Sequence, residues 1–523
     1  MNSKTSTPEF GTLRQIFWPI HSFEMKKFIP MFLMFGCVNL NYSLLRLTKD
    51  TLVVNAAATG AAVLPYLKLW CTTPAAILFT IIYIKLASVL SRKNLFYAAM
   101  LPFLIFFLVF PYLLYPNIDV LHPSTSASWL LHYLPSGLHG LVEVYKNWTF
   151  SLFYVVAELW GSICLSTLFW GCVNEVTKVT EAKRFYGFLG IGANIPLLFV
   201  GGTVEKILSL GDWETSLKVL MTLCLGVGIV VIALYWYLNN IVMEDPRFKL
   251  TAVKKKKKKV KMGFGESLKL LSSSKYLACL AFMVLAYGVS VNLVEISWKQ
   301  YVKDLFAGDQ KGYLQFTSNW MTYTGVASLV FMLFGTSNSL RILGWGKTAL
   351  ITPIVLFCAS AIFFGNLLFP DVVMGLLGAL SLSPLFIACW VGGFHNTFGK
   401  SSKYSFFDPT KEIAYIPLDE HTKKTGKAAI DGVGGRLGKS GGAAINMLFI
   451  GLLGSVDAIT SYVAFVCLAV VGLWIVAVKV LNKEFVSLTT EIESREKPLV
   501  TAAQTITSGK KLFPKLTEAE ESR

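Results

Sequence analysis

An ionisable side chain at bilayer depth costs about 2.5–3.5 kcal/mol to insert, so its presence there points to a task. This chain holds several such groups. Glu158 sits in FYVVAELWGSICL, deep in an apolar run and too short to reach its ends, and Glu295 lies in VNLVEISWKQ. Arg46 and Lys49 close the run NYSLLRLTKD, and Lys68 lies inside the next apolar run. Asp431, Arg436 and Lys439 fall in the glycine-rich stretch DGVGGRLGKSGGA. Cations gathered in a low-dielectric place can hold an anion, lysine as a movable point charge and arginine as a bidentate fork for phosphate. Two unit charges 4 Å apart attract by about 4 kcal/mol at an effective dielectric of 20. Carboxylates can therefore hold the cations while the site is empty and give them up to phosphate. Plainer roles compete with this one. Glu295 can pair with Lys299 one turn later, lysines near span ends can anchor them, and Asn194 and Asn292 can join helices. Tyr287 is an aromatic candidate for stacking on a base.

The elements that position these groups are long apolar helices. Of the 523 residues, 54% are hydrophobic and 15% charged, against roughly a quarter charged in soluble chains. A bilayer accepts the apolar surface, and it requires each span to satisfy its own backbone, which leaves helices or a closed barrel. Runs near ~20 residues rather than short alternations select helices. Spans are expected at 28–47, 62–90, 95–115, 150–173, 185–207 and 217–241, then at 276–298, 318–337, 347–369, 372–396, 429–454 and 458–482. The segment 116–149 is amphiphilic and is expected to carry a short interfacial helix. The basic linker 242–265 divides the chain into two six-helix halves, 25–241 and 266–484, flanked by tails 1–24 and 485–523. The expectation is an all-α membrane protein of twelve transmembrane helices, built like a major-facilitator transporter around a cavity between its halves. Lysine and arginine crowd alternate loops, which places both termini and the linker in the cytoplasm.

Other chemistries find little support. The formal net charge of +17 resides in loops, so it speaks for topology, not nucleic acid. GKS in the glycine-rich stretch lacks the P-loop spacing, since Val433 stands where glycine is required. The nine cysteines show no CxxC spacing, and no metal or cofactor is expected. His122, His132 and His139 share one loop. The run Lys254 to Lys259 reads as a solvated linker.

The chain resembles the bacterial and plastid-type ATP/ADP translocase family over about residues 20–485. The likeness rests on NYSLLRLTKDTLVV, AELWGSICLSTLFWG, EAKRFYGFLGIGAN, MGFGESLKLL, YGVSVNLVEISWK, YSFFDPTKEIAYIPLDEHTKKTGKAAID and GKSGGA. It implies twelve spans and exchange of adenine nucleotides, ATP inward for ADP outward, by a secondary transporter acting as a monomer. It also implies that the Lys of TKD, the Glu of AELWGS, the Glu of NLVE and the Lys of GKSGG matter. These are Lys49, Glu158, Glu295 and Lys439. Leu47 departs from plastid members, which carry Asp before TKD, and Arg436 stands where plastid relatives often have Pro. The N-terminal stretch shows no transit-peptide composition, which favours a bacterial inner membrane.

Overall fold

The computed structural model describes residues 20–248, 274–377, 382–430 and 434–509. The lysine run of the linker and Asp431 lie outside them. The six spans of the first half are α1 (Ser22–Ala56), α2 (Gly60–Val89), α3 (Arg92–Leu121), α4 (Trp148–Val176), α5 (Arg184–Leu208) and α6 (Trp213–Val242). The second half contains α7 (Lys275–Phe306), α8 (Gln310–Val330), α9 (Asn338–Leu368), α10 (Pro384–Ser402), α11 (Gly435–Leu453) and α12 (Val456–Gly509). Among the described residues, nine of these helices are by themselves long and apolar enough to cross a bilayer. The other three, α8, α10 and α11, carry polar groups such as Thr317, Thr324, Asn396, Lys400 and Lys439 along their length. On their outer surfaces the helices present apolar residues, as α2 does with Ile77, Leu78, Ile81, Ile82 and Ile84. Lipid is the solvent for such a face.

Several spans depart from their expected bounds, three of them with consequences for the site or the tail. Helix α1 runs on to Ala56 instead of stopping near residue 47. Arg46 and Lys49 therefore lie in a continuous helix, and Lys49 is buried. The tenth span begins at Pro384 rather than 372, because Pro370–Leu377 is a separate short helix. Ser383 caps α10 by accepting a hydrogen bond from the Phe386 amide at 3.1 Å, the usual device for satisfying a helix N-terminus. The last helix continues to Gly509, well into the expected tail. Segment 116–149 holds short helices including Ser124–Tyr133 and His139–Lys146, as its amphiphilic pattern suggests.

Helix α1 packs against α4, α5 and α6 of its own half and reaches α8 of the other, while α7 packs against α10, α11 and α12. At the crossing of α7 and α11, a Cβ on Gly288 would stand 2.8 Å from the Gly438 backbone. Only glycine lets these backbones come so close. The α1–α2 connection turns at Gly60, whose φ of +60° is in the left-handed region. Because the helices alternate in direction, one face of the bundle carries both ends of the two halves. It is called the tail face here, and the opposite one the far face.

Candidate functional site

A cavity of about 370 Å³ lies between the halves, lined by α1, α4, α5, α7, α8 and α10 and by Tyr404 just beyond α10. Along α1 its wall runs from Phe35 to Asp50, roughly 22 Å at 1.5 Å per residue. One part is aromatic and apolar, with Phe35, Trp170, Leu197, Trp320 and Met332; another offers Asn39, Asn194, Thr317, Thr324 and Asn396. The charged part consists of Arg46, Asp50, Glu295, Lys299 and Lys400. An apolar wall for a ring and cations for an anionic group fit an amphiphilic anion.

The charges toward the far face form one connected network. Glu295 receives Arg46 at 3.1 Å, Lys299 at 3.0 Å and Lys68 at 3.5 Å. Lys299 also reaches Asp50 at 2.8 Å, and Asp50 holds Lys49 at 2.8 Å. The Lys49 ammonium further contacts Glu158 at 3.1 Å and stands 3.8 Å from the centre of the Tyr154 ring. Lys68 donates to the Asn292 side-chain oxygen at 2.8 Å. Arg46, Lys49, Asp50, Lys68 and Glu158 belong to the first half, and Asn292, Glu295 and Lys299 to the second. The network thus bridges the halves, and its buried charges are kept affordable only by this dense pairing.

Hydrogen bonds and backbone contacts join the halves in the same region. Gln300 accepts from the Ala61 amide at 2.9 Å, Lys303 donates to the Ala57 carbonyl at 2.9 Å, and Lys311 donates to the Gly211 carbonyl at 2.7 Å. The Gly201 amide donates to Thr322 at 2.9 Å, and the Gly137 backbone lies directly against Gly451. These contacts join the halves on the far-face side of the cavity.

The expected site residues take different positions in this arrangement. Arg46, Glu295, Lys299 and Asn194 line the cavity; Asn194 also donates to the Gly190 carbonyl at 3.0 Å. Lys49, Lys68, Glu158 and Asn292 sit behind the lining in the network. Lys49 in particular is 2% exposed, so its ammonium is committed to carboxylates in this conformation. Lys439 is exposed, and its charge acts on Glu158. Arg436 lies in the first turn of α11; its side chain, like Asp431, is outside what the structure describes. Tyr287 is a correction. Its ring stacks on Phe407 with centroids 5.6 Å apart and meets Trp474 edge-on at 6.3 Å, so it belongs to a core cluster of the second half. The rings that line the cavity are Phe35, Tyr42, Trp170, Trp298, Tyr313, Trp320 and Tyr404.

Two charged residues of the site are not among the candidates that the sequence offers. Asp50 looked like the polar end of a span, because α1 was taken to stop before it. Lys400 lies beyond the expected end of the tenth span at residue 396, whereas the helix runs on to Ser402. The signal available was HNTFGK, which sets Asn396 and Lys400 four residues apart on one helical face. Outside the spans, the three loop histidines do not converge: His122 contacts Thr149 and His139 contacts the Leu134 carbonyl. Burial lowers the His122 imidazole below its ordinary value. Among the described residues no group of three metal-ligating side chains occurs.

Residues 3–485 match the TLC ATP/ADP transporter family. The chain belongs to that family. It is similar to ADP,ATP carrier protein 1 of Chlamydia pneumoniae, 45% identical over 496 residues that cover 93% of this chain and 96% of that protein. It is 44% identical over 477 residues to the chloroplastic ADP,ATP carrier protein 1 of Arabidopsis thaliana, covering 90% and 75%. ADP,ATP carrier protein 1 of Rickettsia prowazekii is 39% identical over 494 residues, covering 93% and 98%. Among solved structures, a bacterial homologue of the iron transporter ferroportin in an inward-facing state matches with a TM-score of 0.55 at 13% identity, over 90% of this chain and 99% of that one. A bacterial metal transporter matches at 0.52 and 12% identity, covering 88% and 99%. Those two likenesses concern the fold alone, which is the all-helical, major-facilitator-like architecture. As a TLC transporter the chain is a carrier and not an enzyme.

Proposed function

We propose that this TLC transporter exchanges ATP for ADP by alternating access, taking ATP from the far face and returning ADP from the tail face. The observation that carries the reading is the charged network that joins the halves beside a cavity with aromatic walls. Such a network is a gate whose strength depends on what occupies the cavity. With the cavity empty, Arg46, Lys49, Lys68 and Lys299 are held by Asp50, Glu158 and Glu295. A bound polyphosphate competes with those carboxylates, loosens the tie and lets the far face open. Without a nucleotide the ties re-form, and reorientation stalls, which favours exchange over leak. Lys49 and Lys439 serve the phosphates once the far face has opened, and Asn194 and the cavity rings receive the nucleoside.

The loop charges support an orientation with the tail face in the cytoplasm of a bacterial cell, the carrier acting as a monomer in the inner membrane. The test is uptake of labelled ATP by proteoliposomes with and without internal ADP. Exchange predicts uptake only into ADP-loaded vesicles. Equal uptake into empty vesicles, driven by a pH gradient, would overturn it in favour of proton-coupled import.

A further inference from the structure

Lys400 stands apart from the other cavity cations. It lines the cavity from α10, a helix that contributes nothing else to the charged network. Arg46, Lys49, Lys68 and Lys299 each have a carboxylate within 3.5 Å. Among the described residues Lys400 has no ion pair or hydrogen bond. It is only partly buried, so the space in front of its ammonium belongs to the cavity. The charges that act on it are those of Arg46, Glu295, Lys299 and Asp50. Of these Arg46 is a cation facing the same space, and its guanidinium is already engaged with Glu295 at 3.1 Å.

Burying a cation without a partner in a membrane protein is costly, and an anion in that position removes the cost. We propose that Lys400 is the first anchor for the polyphosphate, which binds between it and Arg46 and draws Arg46 away from Glu295. This rests on the exchange reading and assigns its trigger. The first phosphate needs to displace no carboxylate at Lys400, whereas at Arg46 it must compete with Glu295. Binding at the free cation therefore comes first, and the competition for Arg46 follows from it. That second step weakens one of the direct ion pairs between the halves. The recognised chemistry is a phosphate chain, from a nucleotide or from inorganic phosphate.

The test uses the purified full-length carrier and equilibrium binding of ATP, ADP, AMP, adenosine and inorganic phosphate. In wild-type protein affinity is expected to rise with the number of phosphates. Lys400→Gln should weaken ATP at least tenfold, leave adenosine within twofold and flatten the series; Lys400→Arg should keep most of the ATP affinity. A purely structural role would lower all ligands together. Inorganic phosphate losing affinity in parallel with ATP identifies a general phosphate anchor, and phosphate unaffected identifies one reached only when the nucleoside is seated. Either result supports the assignment. Unchanged ATP affinity in Lys400→Gln overturns it. Should that variant fail to fold, acylation of lysines in the wild-type protein, read by peptide mass spectrometry, decides. ATP should protect Lys400 several-fold, and labelling that is the same with and without ATP refutes the anchor. Wild-type exchange is measured separately, so a failure of the anchor is distinguishable from a failure of the exchange reading.

Discussion

Glu295→Gln removes the acceptor on which three cations converge. In the structure Arg46, Lys299 and Lys68 lie 3.1, 3.0 and 3.5 Å from this carboxylate, which is 11% exposed at the side chain. Glutamine keeps the volume and one carbonyl oxygen but cancels the charge. Breaking a buried pair by neutralising one partner typically costs about 3–5 kcal/mol. Lys299 retains Asp50 at 2.8 Å, so the cost falls chiefly on Arg46 and on Lys68, which keeps only the neutral Asn292 side chain at 2.8 Å. Arg46 and Lys68 reach Glu295 from the other half, so the lost interaction is one that holds the far face shut. If the whole amount bears on closure, the closed-to-open ratio falls by up to about 10²–10³-fold, at ~1.4 kcal/mol per decade. The assay is the accessibility of an engineered cysteine at Ala61, fully buried against Gln300 at the far-face seam between the halves, to a membrane-impermeant maleimide. Labelling should become much faster in Glu295→Gln, and exchange should slow because the carrier spends less of its cycle with the far face closed. Labelling and exchange rates within twofold of the parent would refute the gate.

Two further substitutions separate packing from gating. Gly288→Ala puts a methyl group 2.8 Å from the Gly438 backbone, and overpacking of this kind costs about 1–3 kcal/mol. The detergent-purified variant should melt several degrees lower, whereas Gly171→Ala, with open space around its Cβ, should match the parent. Lys27→Met should likewise destabilise the carrier, by about 3–5 kcal/mol. Lys27 is fully buried, donates to the Val176 carbonyl at 3.2 Å and pairs with Glu181 at 2.6 Å, so its loss strands a buried carboxylate. The expected readout is a lower melting temperature with an unaltered KM for ATP in the surviving protein; a raised KM with normal stability would argue against the structural role.

The spans of this carrier were legible because bilayer thickness sets a length that apolar runs either reach or miss. Among the described residues nine helices pass that test unaided, and charge at depth sufficed to nominate Glu158, Glu295, Lys49 and Lys439. The rule weakens where a helix faces the cavity, since polar side chains there lower the hydropathy of a true span. That is why α10 was displaced in the sequence reading and Lys400 was taken for a loop residue. Sequence also lacks any means of choosing partners among residues more than two hundred positions apart. Arg46 and Glu295 are separated by 249 residues, and only the packing of one half on the other decides that they meet. The same packing places Tyr287 against Phe407 and Trp474 rather than in the cavity, although its type suited a base-stacking role. Composition and periodicity thus determined a membrane-spanning helical bundle with charges in its interior. The tertiary structure decided which of those charges pair across the two halves and that Lys400, among the described residues, has no ion-pair partner, because pairing depends on distances that the order of residues does not contain.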